Sequence, residues 1–426
     1  MKLNRENFIV QYPPLVCLSP QEVDNMWDTK EINLYLHLPY CKKKCSFCYY
    51  KSFELGDEPI PDFYLDALKE EIEIYLRKPQ LQNIVLRSLY IGGGTPSLLS
   101  EKQIETLLLS VRSMFKPAND FEFCCEVRPG AGTTLEKLKL LESLGLRRLS
   151  IGCQSVDDEI LAVNGRNHKA KEFYETFERA RNAGIFSINV DLMSGMINHT
   201  MDSWMDTIDS IARLRPENIS IYKMEMYLNN ILYKQYLKGG IHMVSDMAEA
   251  EYAVAGYRKL LDYGYLFMDN YTFMSAPEYK HVQRNELWNG ADMIGMGLSA
   301  HSCFNGYIYQ NEAKMENYLR KISQKELAIQ RAHRITTEEA MIRQITFGLK
   351  NMRFDRIRFK KQFGIDVMDL FGHILKKLEE KSFIVVSTAH IDMLFDGAVF
   401  ADDIVREFYL PEHRKAALAH VSRPEA

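Results

Sequence analysis

The sequence predicts an α/β protein organised around a parallel sheet. Two observations predict it. Short apolar runs alternate with longer amphipathic stretches between Asn33 and Met226, and the alternation repeats about six times. The runs that read as strands are Leu34–Pro39, Ser88–Ile91, Asp120–Val127, Arg148–Cys153, Ser187–Leu192 and Ile219–Met224. Between them, Leu65, Leu68, Ile72 and Leu76 recur at spacings of three and four, as one face of a helix does. Leu135, Leu138, Leu141 and Leu144 form a second stripe, stopped by Gly145. Lys169 to Ala183 is a third, stopped by Gly184. A barrel-like sheet and an open, doubly wound sheet share this pattern, and periodicity does not choose between them.

After Met226 the rhythm changes. Met243 to Tyr263 reads as one long helix, and Asn285 to Asn305, rich in glycine and aromatics, as irregular packed structure. From Thr336 the spacing predicts helices over Glu338–Leu349 and Val367–Glu379, then β-rich residues at Phe383–Val386 and Ala398–Ala401. Helices followed by a small hairpin suggest a winged-helix-like C-terminal module. The same pattern serves equally as packing or as a lid, and nucleic acid is not the expected partner.

Composition narrows the class. The 426 residues are 46% hydrophobic and 26% charged, ordinary for a globular protein with a large core. With 53 basic and 57 acidic residues the net charge is −4, which gives no global footprint for nucleic acid or an anionic membrane. Met1 to Gln11 is polar, without the apolar stretch of a secretory signal, and no apolar run approaches the ~18 residues of a membrane span. A cytoplasmic location follows as the expectation, and thiols stay reduced there.

In that setting a tight cysteine cluster points to metal binding or catalysis rather than to disulfides. Of eight cysteines, Cys41, Cys45 and Cys48 fall together as C-x3-C-x2-C directly after the first strand. Three thiolates on one loop can hold three irons of a cubane cluster. With no fourth cysteine nearby, one iron stays open for an exogenous ligand, the mark of a reactive metal. The lysines at 42–44 offset thiolate charge. The competing reading is zinc, which normally closes with four ligands in pairs; His37 is an awkward fourth, a strand residue four positions before the loop.

The segment Tyr35-Leu-His37-Leu-Pro39-Tyr-Cys41-Lys-Lys-Lys-Cys45-Ser-Phe47-Cys48 resembles the radical S-adenosylmethionine (SAM) enzymes, and more narrowly the oxygen-independent coproporphyrinogen III oxidase family. The resemblance spans roughly Ile32 to Val405. It implies a partial (β/α)6 TIM-like barrel with a C-terminal α+β winged-helix-like domain. The implied organisation is an extension at 1–30, a barrel at 31–275, a connecting segment at 276–335 and the C-terminal domain at 336–426. It also implies a [4Fe-4S] cluster on Cys41, Cys45 and Cys48, whose open iron chelates the amino and carboxylate groups of SAM. One electron, from a donor such as flavodoxin or ferredoxin, cleaves that cofactor to methionine and a 5′-deoxyadenosyl radical, which the protein positions and shields.

The resemblance carries further residues. Tyr35 and His37 share one strand face, the leucines the other; Tyr35 matches a tyrosine that contacts SAM. Gly92-Gly93-Gly94-Thr95 is neither a phosphate-binding P-loop nor a dinucleotide fingerprint. Alone it is a turn signal; here Gly93, Gly94 and Thr95 match the strand end that receives the cofactor's amino group. Glu126 in Glu-Val-Arg-Pro, Gln154 in Gln-Ser and Asp191 in Val-Asp-Leu-Met match cofactor-contacting positions, and Asp191 corresponds to a ribose contact. Arg166 matches an arginine that reaches the cofactor carboxylate; without its flanks it reads as a solvated charge. Three acceptors at the C-terminal ends of successive strands are what a barrel-top site presents. Glu122, Cys124 and Cys153 read as structural, and His301 as a core histidine. Asn285-Glu-Leu-Trp288 and Gly295-Met-Gly297 match the family's later signature, and Glu225 a glutamate after the sixth strand.

Several motifs depart from the family. Tyr49-Tyr50-Lys51-Ser52 replaces a small or acidic residue plus an aromatic, Gly195-Met-Ile-Asn198 lacks Gly-Leu-Pro, and Glu225 precedes Met226-Tyr227 rather than Pro-Gly. These changes fall where the cavity belongs. By elimination they favour a methyltransferase- or cyclopropanase-type member that uses a second SAM on a small molecule. The alternatives are oxidative decarboxylation of coproporphyrinogen III and haem delivery.

Overall fold

The computed structural model describes residues 8–419 except 22, 24–28, 57, 82, 226, 228–229, 240 and 242. Met226, which ends the alternating region and belongs to an altered motif, lies outside the described residues. So do residues 1–7 and 24–28 of the expected extension and 420–426 of the C-terminal part.

Each expected strand of the alternating region forms. They are β1 (Glu31–Leu38), β2 (Val85–Gly93), β3 (Lys116–Val127), β4 (Leu146–Gln154), β5 (Ser187–Ser194) and β6 (Asn218–Lys223). All are parallel and pair in chain order, with Leu34 opposite Leu89, Leu89 opposite Phe123, Leu149 opposite Ile188 and Val190 opposite Ile219. A doubly wound sheet reverses its order at a switch point. This one does not, so its right-handed crossovers set the helices on a single side and the sheet curls. The result is a partial barrel. It continues at both edges into a twelve-stranded sheet. β7 (Leu266–Phe267) and β8 (Thr272–Met274) extend it antiparallel beyond β6, and β9 (Met293–Met296) joins β1 in parallel. Then β10 (His301–Phe304), β11 (Tyr307–Asn311) and β12 (Ile329–Arg334) follow as antiparallel strands.

The two-residue period sorts each strand into an oily and a polar face. Leu34, Leu36 and Leu38 are fully buried against the helices, among them Asp62–Leu76, whose Leu65, Leu68 and Ile72 stripe faces inward. The other face is polar along its length. Glu122, Cys124 and Glu126 share it with Arg148 and Ser150, Asn189 and Asp191, and Asn218 and Ser220. At its base Arg148 donates to Glu122 Oε2 at 3.1 Å, to Ser187 Oγ at 2.9 Å, to Asn218 Oδ1 and to the Tyr279 carbonyl at 2.9 Å. Glu122 also accepts the Val282 N–H at 3.0 Å, and Arg284 donates to Asp269 at 2.9 Å.

Two expectations are corrected. Asn285–Asn305 is not irregular: it ends the helix Val282–Trp288 and then supplies β9 and β10. The glycines that suggested irregular structure allow close contact instead, since a Cβ on Gly295 would lie 2.1 Å from the His301 carbonyl oxygen. Ala398–Ala401 is not β-rich but joins two short helices, Phe395–Val399 and Ala401–Val405. Buried Ala398, Ala401 and Val405 recur at three and four, the helical period. The hairpin partner of Ile384–Val386 is His390–Met393, which also pairs with Arg353–Asp355. With helices Thr337–Lys350, Arg356–Phe363 and Val367–Glu380 this makes the winged-helix-like unit. Its core runs on into Ile9, Tyr12, Tyr271 and Trp288, so its apolar face is spent on packing against the rest of the chain. No helix among the described residues is long and apolar enough to cross a membrane.

Candidate functional site

The cysteine loop leaves β1 at Pro39 and is pinned at both ends. Tyr40–Cys41 runs parallel to Phe53–Glu54, with Phe53 N–H donating to the Pro39 carbonyl at 2.7 Å and Leu55 N–H to that of Cys41 at 2.9 Å. The end of β2 locks onto the same segment: Gly94 N–H reaches the Leu38 carbonyl and Thr95 N–H the Tyr40 carbonyl, each at 2.7 Å. Glycine is required there. A Cβ on Gly94 would lie 2.3 Å from the Tyr40 oxygen, and one on Gly93, at φ +108°, 2.5 Å from the His37 ring.

Above the polar face lies a cavity of about 300 Å³. Cys41, Cys45 and Cys48 line it, with Gly93, Gly94 and Thr95 beside them. Glu126, Gln154, Arg166 and Asp191 complete the expected set, each from the C-terminal end of a strand or the loop beyond. The structure thus brings all the expected residues to one cavity except Tyr35. Tyr35 is not among the lining residues; its hydroxyl lies 2.9 Å from His37 Nδ1 and its ring 5.9 Å from that of Tyr90, within electrostatic reach of Glu126.

Burial tunes the acids. Glu126 accepts the Tyr90 hydroxyl at 2.7 Å and the Gly93 N–H at 3.0 Å, yet burial, helped by nearby Asp191, pushes its carboxyl up to about 7. Asp191 is raised by burial against its bonds from Ser150 and Asn189, both 2.8 Å. Burial and neighbouring Cys45 push the Cys48 thiol up to about 11, so binding iron there displaces protons. Arg166 donates to Cys45 Sγ at 3.3 Å and to the Gly152 carbonyl. Its Nε is buried without a partner, as are Gln154 Oε1 and Arg128 Nε, which line the same cavity. Buried polar atoms are ordinarily paired, so these three beside the thiols are suited to polar ligand atoms.

Sequence reasoning missed part of the wall. Phe8 and Val10, from the segment read only as an extension, line the cavity, with Phe47, Arg128 and Met193. Phe8 N–H donates to Glu225, Ile9 N–H to Asp402 at 2.9 Å, and Lys350 Nζ to the Ile9 carbonyl at 2.7 Å. These partners lie hundreds of positions away in sequence, and no local pattern announces them. Glu122, paired with Arg148, is structural, and Cys153 is fully buried in the core. Cys124 is buried 3.7 Å from His281.

Among the described residues no three His, Cys, Asp or Glu side chains stand close enough to share one metal ion. A cubane asks something different of Cys41, Cys45 and Cys48, one thiolate for each of three irons. Thiols on a pinned loop, a glycine-opened wall beside them and orphaned polar atoms opposite fit such a cluster and a polar cofactor on its open iron.

The family model of the radical SAM superfamily matches residues 35–211. The heme chaperone HemW of Bacillus subtilis is 30% identical over 377 residues, 88% of this chain and 98% of that protein. The oxygen-independent coproporphyrinogen III oxidase of Escherichia coli is 26% identical over 409 residues, 92% of this chain and 89% of the enzyme. The solved structure of the E. coli coproporphyrinogen III oxidase HemN superposes with a TM-score of 0.82, at 24% identity, over 94% of this chain and 96% of that one. The chain belongs to the radical SAM superfamily, in the family that holds these oxidases and HemW. A [4Fe-4S] cluster and SAM are that family's cofactors. The methyltransferase or cyclopropanase branch expected by elimination finds no support in these relatives.

Proposed function

We propose that this chain is a radical SAM enzyme acting on a tetrapyrrole that carries carboxylates, with oxidative decarboxylation of coproporphyrinogen III the first reaction to test. One observation carries the reading: three thiols, three orphaned polar atoms and the cations Lys43, Lys44, Arg128 and Arg166 meet at a single cavity. When bound, the cluster and SAM supply a 5′-deoxyadenosyl radical. The chain's own residues hold and aim them. Cys41, Cys45 and Cys48 take three irons. The backbone at Gly93, Gly94 and Thr95 meets the cofactor's amino group, and Arg166 its carboxylate. Glu126, Gln154 and Asp191 receive the ribose and its neighbours. Tyr35 acts as a positioning residue through His37. Phe8, Val10 and Met193 keep water from the reacting carbon. The electron comes from a flavodoxin- or ferredoxin-like donor, in the cytoplasm.

Anaerobic reconstitution tests this. A brown protein that forms 5′-deoxyadenosine and releases carbon dioxide from coproporphyrinogen III supports it. A colourless protein, or one that makes no 5′-deoxyadenosine with reductant, sinks the enzyme reading. The HemW relative, nearly full length at 30% identity, favours a second reading of haem handling. That reading predicts tight haem binding without carbon dioxide release. Label transfer from deuterated SAM to a substrate carbon is the signature of methyl transfer.

A further inference from the structure

Arg284 stands just before Asn285-Glu-Leu-Trp288, on the helix Val282–Trp288, and does not line the cavity of about 300 Å³. It donates to Asp269 at 2.9 Å and to Thr272 Oγ1 at 2.7 Å, and its guanidinium lies 4.9 Å from the centre of the Tyr271 ring. From Thr272 a row of hydrogen bonds crosses the sheet. Thr272 Oγ1 is 3.1 Å from Ser220 Oγ, and Ser220 donates to Asn189 Oδ1 at 3.0 Å. Asn189 Nδ2 donates to Asp191 Oδ1 and to Ser150 Oγ, each at 2.8 Å, and Ser150 donates to Asp191 Oδ2 at 2.8 Å. Register brings the row together: Thr272 pairs opposite Ser220, and Ser220 opposite Asp191. Asn189, Ser220 and Thr272 are buried.

Each hydrogen in the row has one place to go. A carboxylate only accepts, so Asn189 turns its amide nitrogen toward Asp191 and its oxygen toward Ser220. That oxygen also only accepts, so Ser220 spends its one hydrogen there and receives the hydrogen of Thr272. A guanidinium only donates, which fixes the other end. The result is a one-way series of donors from a cation to a carboxylate, and bonds in series polarise one another. Burial raises the Asp191 carboxyl, while the bonds from Ser150 and Asn189, then Arg284 and Arg166, pull it back. Of the other groups that face it, Glu126 opposes its charge, and burial keeps Tyr50, Tyr90, Tyr222 and Cys153 neutral.

We propose that Arg284 is a positioning residue that acts on Asp191 through Thr272, Ser220 and Asn189. It holds the carboxylate ionised and its inner lone pairs occupied, so that the remaining ones accept the hydroxyls of a ribose in the cavity. The proposal rests on that cavity being the SAM site. It gives the connecting segment a part in cofactor binding without contact.

The test uses anaerobically reconstituted protein and two measurements. Infrared pH-difference spectra follow the Asp191 carboxyl before SAM is added, its band assigned by its loss in Asp191→Asn. Equilibrium dialysis then measures SAM affinity. Ser220→Ala and Thr272→Val break the row and leave Arg284 and Asp269 in place. Each is expected to move the Asp191 titration to higher pH and to weaken SAM binding about threefold to tenfold near neutral pH, the scale of one hydrogen bond. In the Asp191→Asn background Ser220→Ala is expected to change SAM affinity by less than about twofold, since the group it acts through is gone. Ser220→Ala, the smaller change, carries the test by itself if Thr272→Val fails to fold. An unmoved titration in the broken-row variants overturns the proposal, and so does an undiminished loss of affinity in the Asp191→Asn background, which packing alone would produce. Absence of SAM binding by wild type sinks the cofactor reading, whereas a shifted titration in that same protein still supports the row.

Discussion

The barrel carries two polar layers that differ in how completely their hydrogen bonds are met. At the base, Arg148, Glu122, Ser187 and Asn218 satisfy one another, and Arg284 closes onto Asp269 and Thr272. At the top, Gln154, Arg166 and Arg128 each keep a buried atom without a partner. Both layers belong to the barrel strands or the loops that follow them, and both cost desolvation. The base recovers it internally. The top leaves it unrecovered until a ligand arrives, and that difference separates scaffold from site.

The largest expected effect comes from removing the cluster's hold. Cys45→Ser or Cys48→Ser is expected to yield colourless protein with 5′-deoxyadenosine formation at background, while the fold, measured by circular dichroism, persists. Loss of the fold in either variant would erase the distinction between the layers.

Next in size is the base. Arg148→Met leaves the buried Glu122 carboxylate without its cation, at a cost of about 3–5 kcal/mol in denaturant unfolding. The double variant Arg148→Met/Glu122→Leu is expected to regain much of it, because removing both partners avoids the stranded charge.

At the top the effect on stability is smaller. Arg166→Met removes an unpartnered Nε together with the bonds to Cys45 Sγ and the Gly152 carbonyl, so ligand-free stability falls by about 1–2 kcal/mol. SAM affinity, by equilibrium dialysis, falls about tenfold or more, the scale of a lost charge-assisted bond. An Arg166 variant as unstable as Arg148→Met would show that the top layer is also scaffold.

The last effect is spread over several pH units. The Glu126 carboxyl titrates near 7 in the folded protein, above the ~4.3 of an unfolded chain. Between those values the folded state holds a proton that the unfolded state has released. Stability of the ligand-free protein therefore falls as pH rises through that window and levels off above about 7. Glu126→Gln flattens the slope by up to about 1.4 kcal/mol per pH unit, read from unfolding midpoints between roughly pH 5 and 7.5.

What the sequence disclosed follows from the range of the forces involved. The six barrel strands and their helices were legible because period-two and period-3.6 patterns are local, and the loop of Cys41, Cys45 and Cys48 because its chemistry is carried in eight consecutive residues. Gly93 and Gly94 were legible as glycines, though their reason, contact with His37 and Tyr40, appears only in three dimensions. Gly295 misled, since a glycine that admits a neighbouring strand looks like one that breaks structure. Ala398–Ala401 misled because a window of four small and apolar residues is too short to separate the two periods. Tyr35 was matched to a SAM contact by resemblance alone, and its contacts with His37 and Tyr90 appear only in three dimensions. Phe8 and Val10 were invisible because their partners lie at Glu225, Lys350 and Asp402.

That last feature also imposes a timetable. The segment at 8–10 is synthesised before Lys350 and Asp402, which fasten it from more than 300 residues further along the chain. Strand pairing in chain order lets the barrel assemble as it emerges. Its wall at Phe8 and Val10 gains these fastenings only once Lys350 and Asp402 have emerged. Through that interval the cysteine loop is present while one side of its chamber is still loose, a window for loading a cluster that the arrival of Asp402 brings to an end.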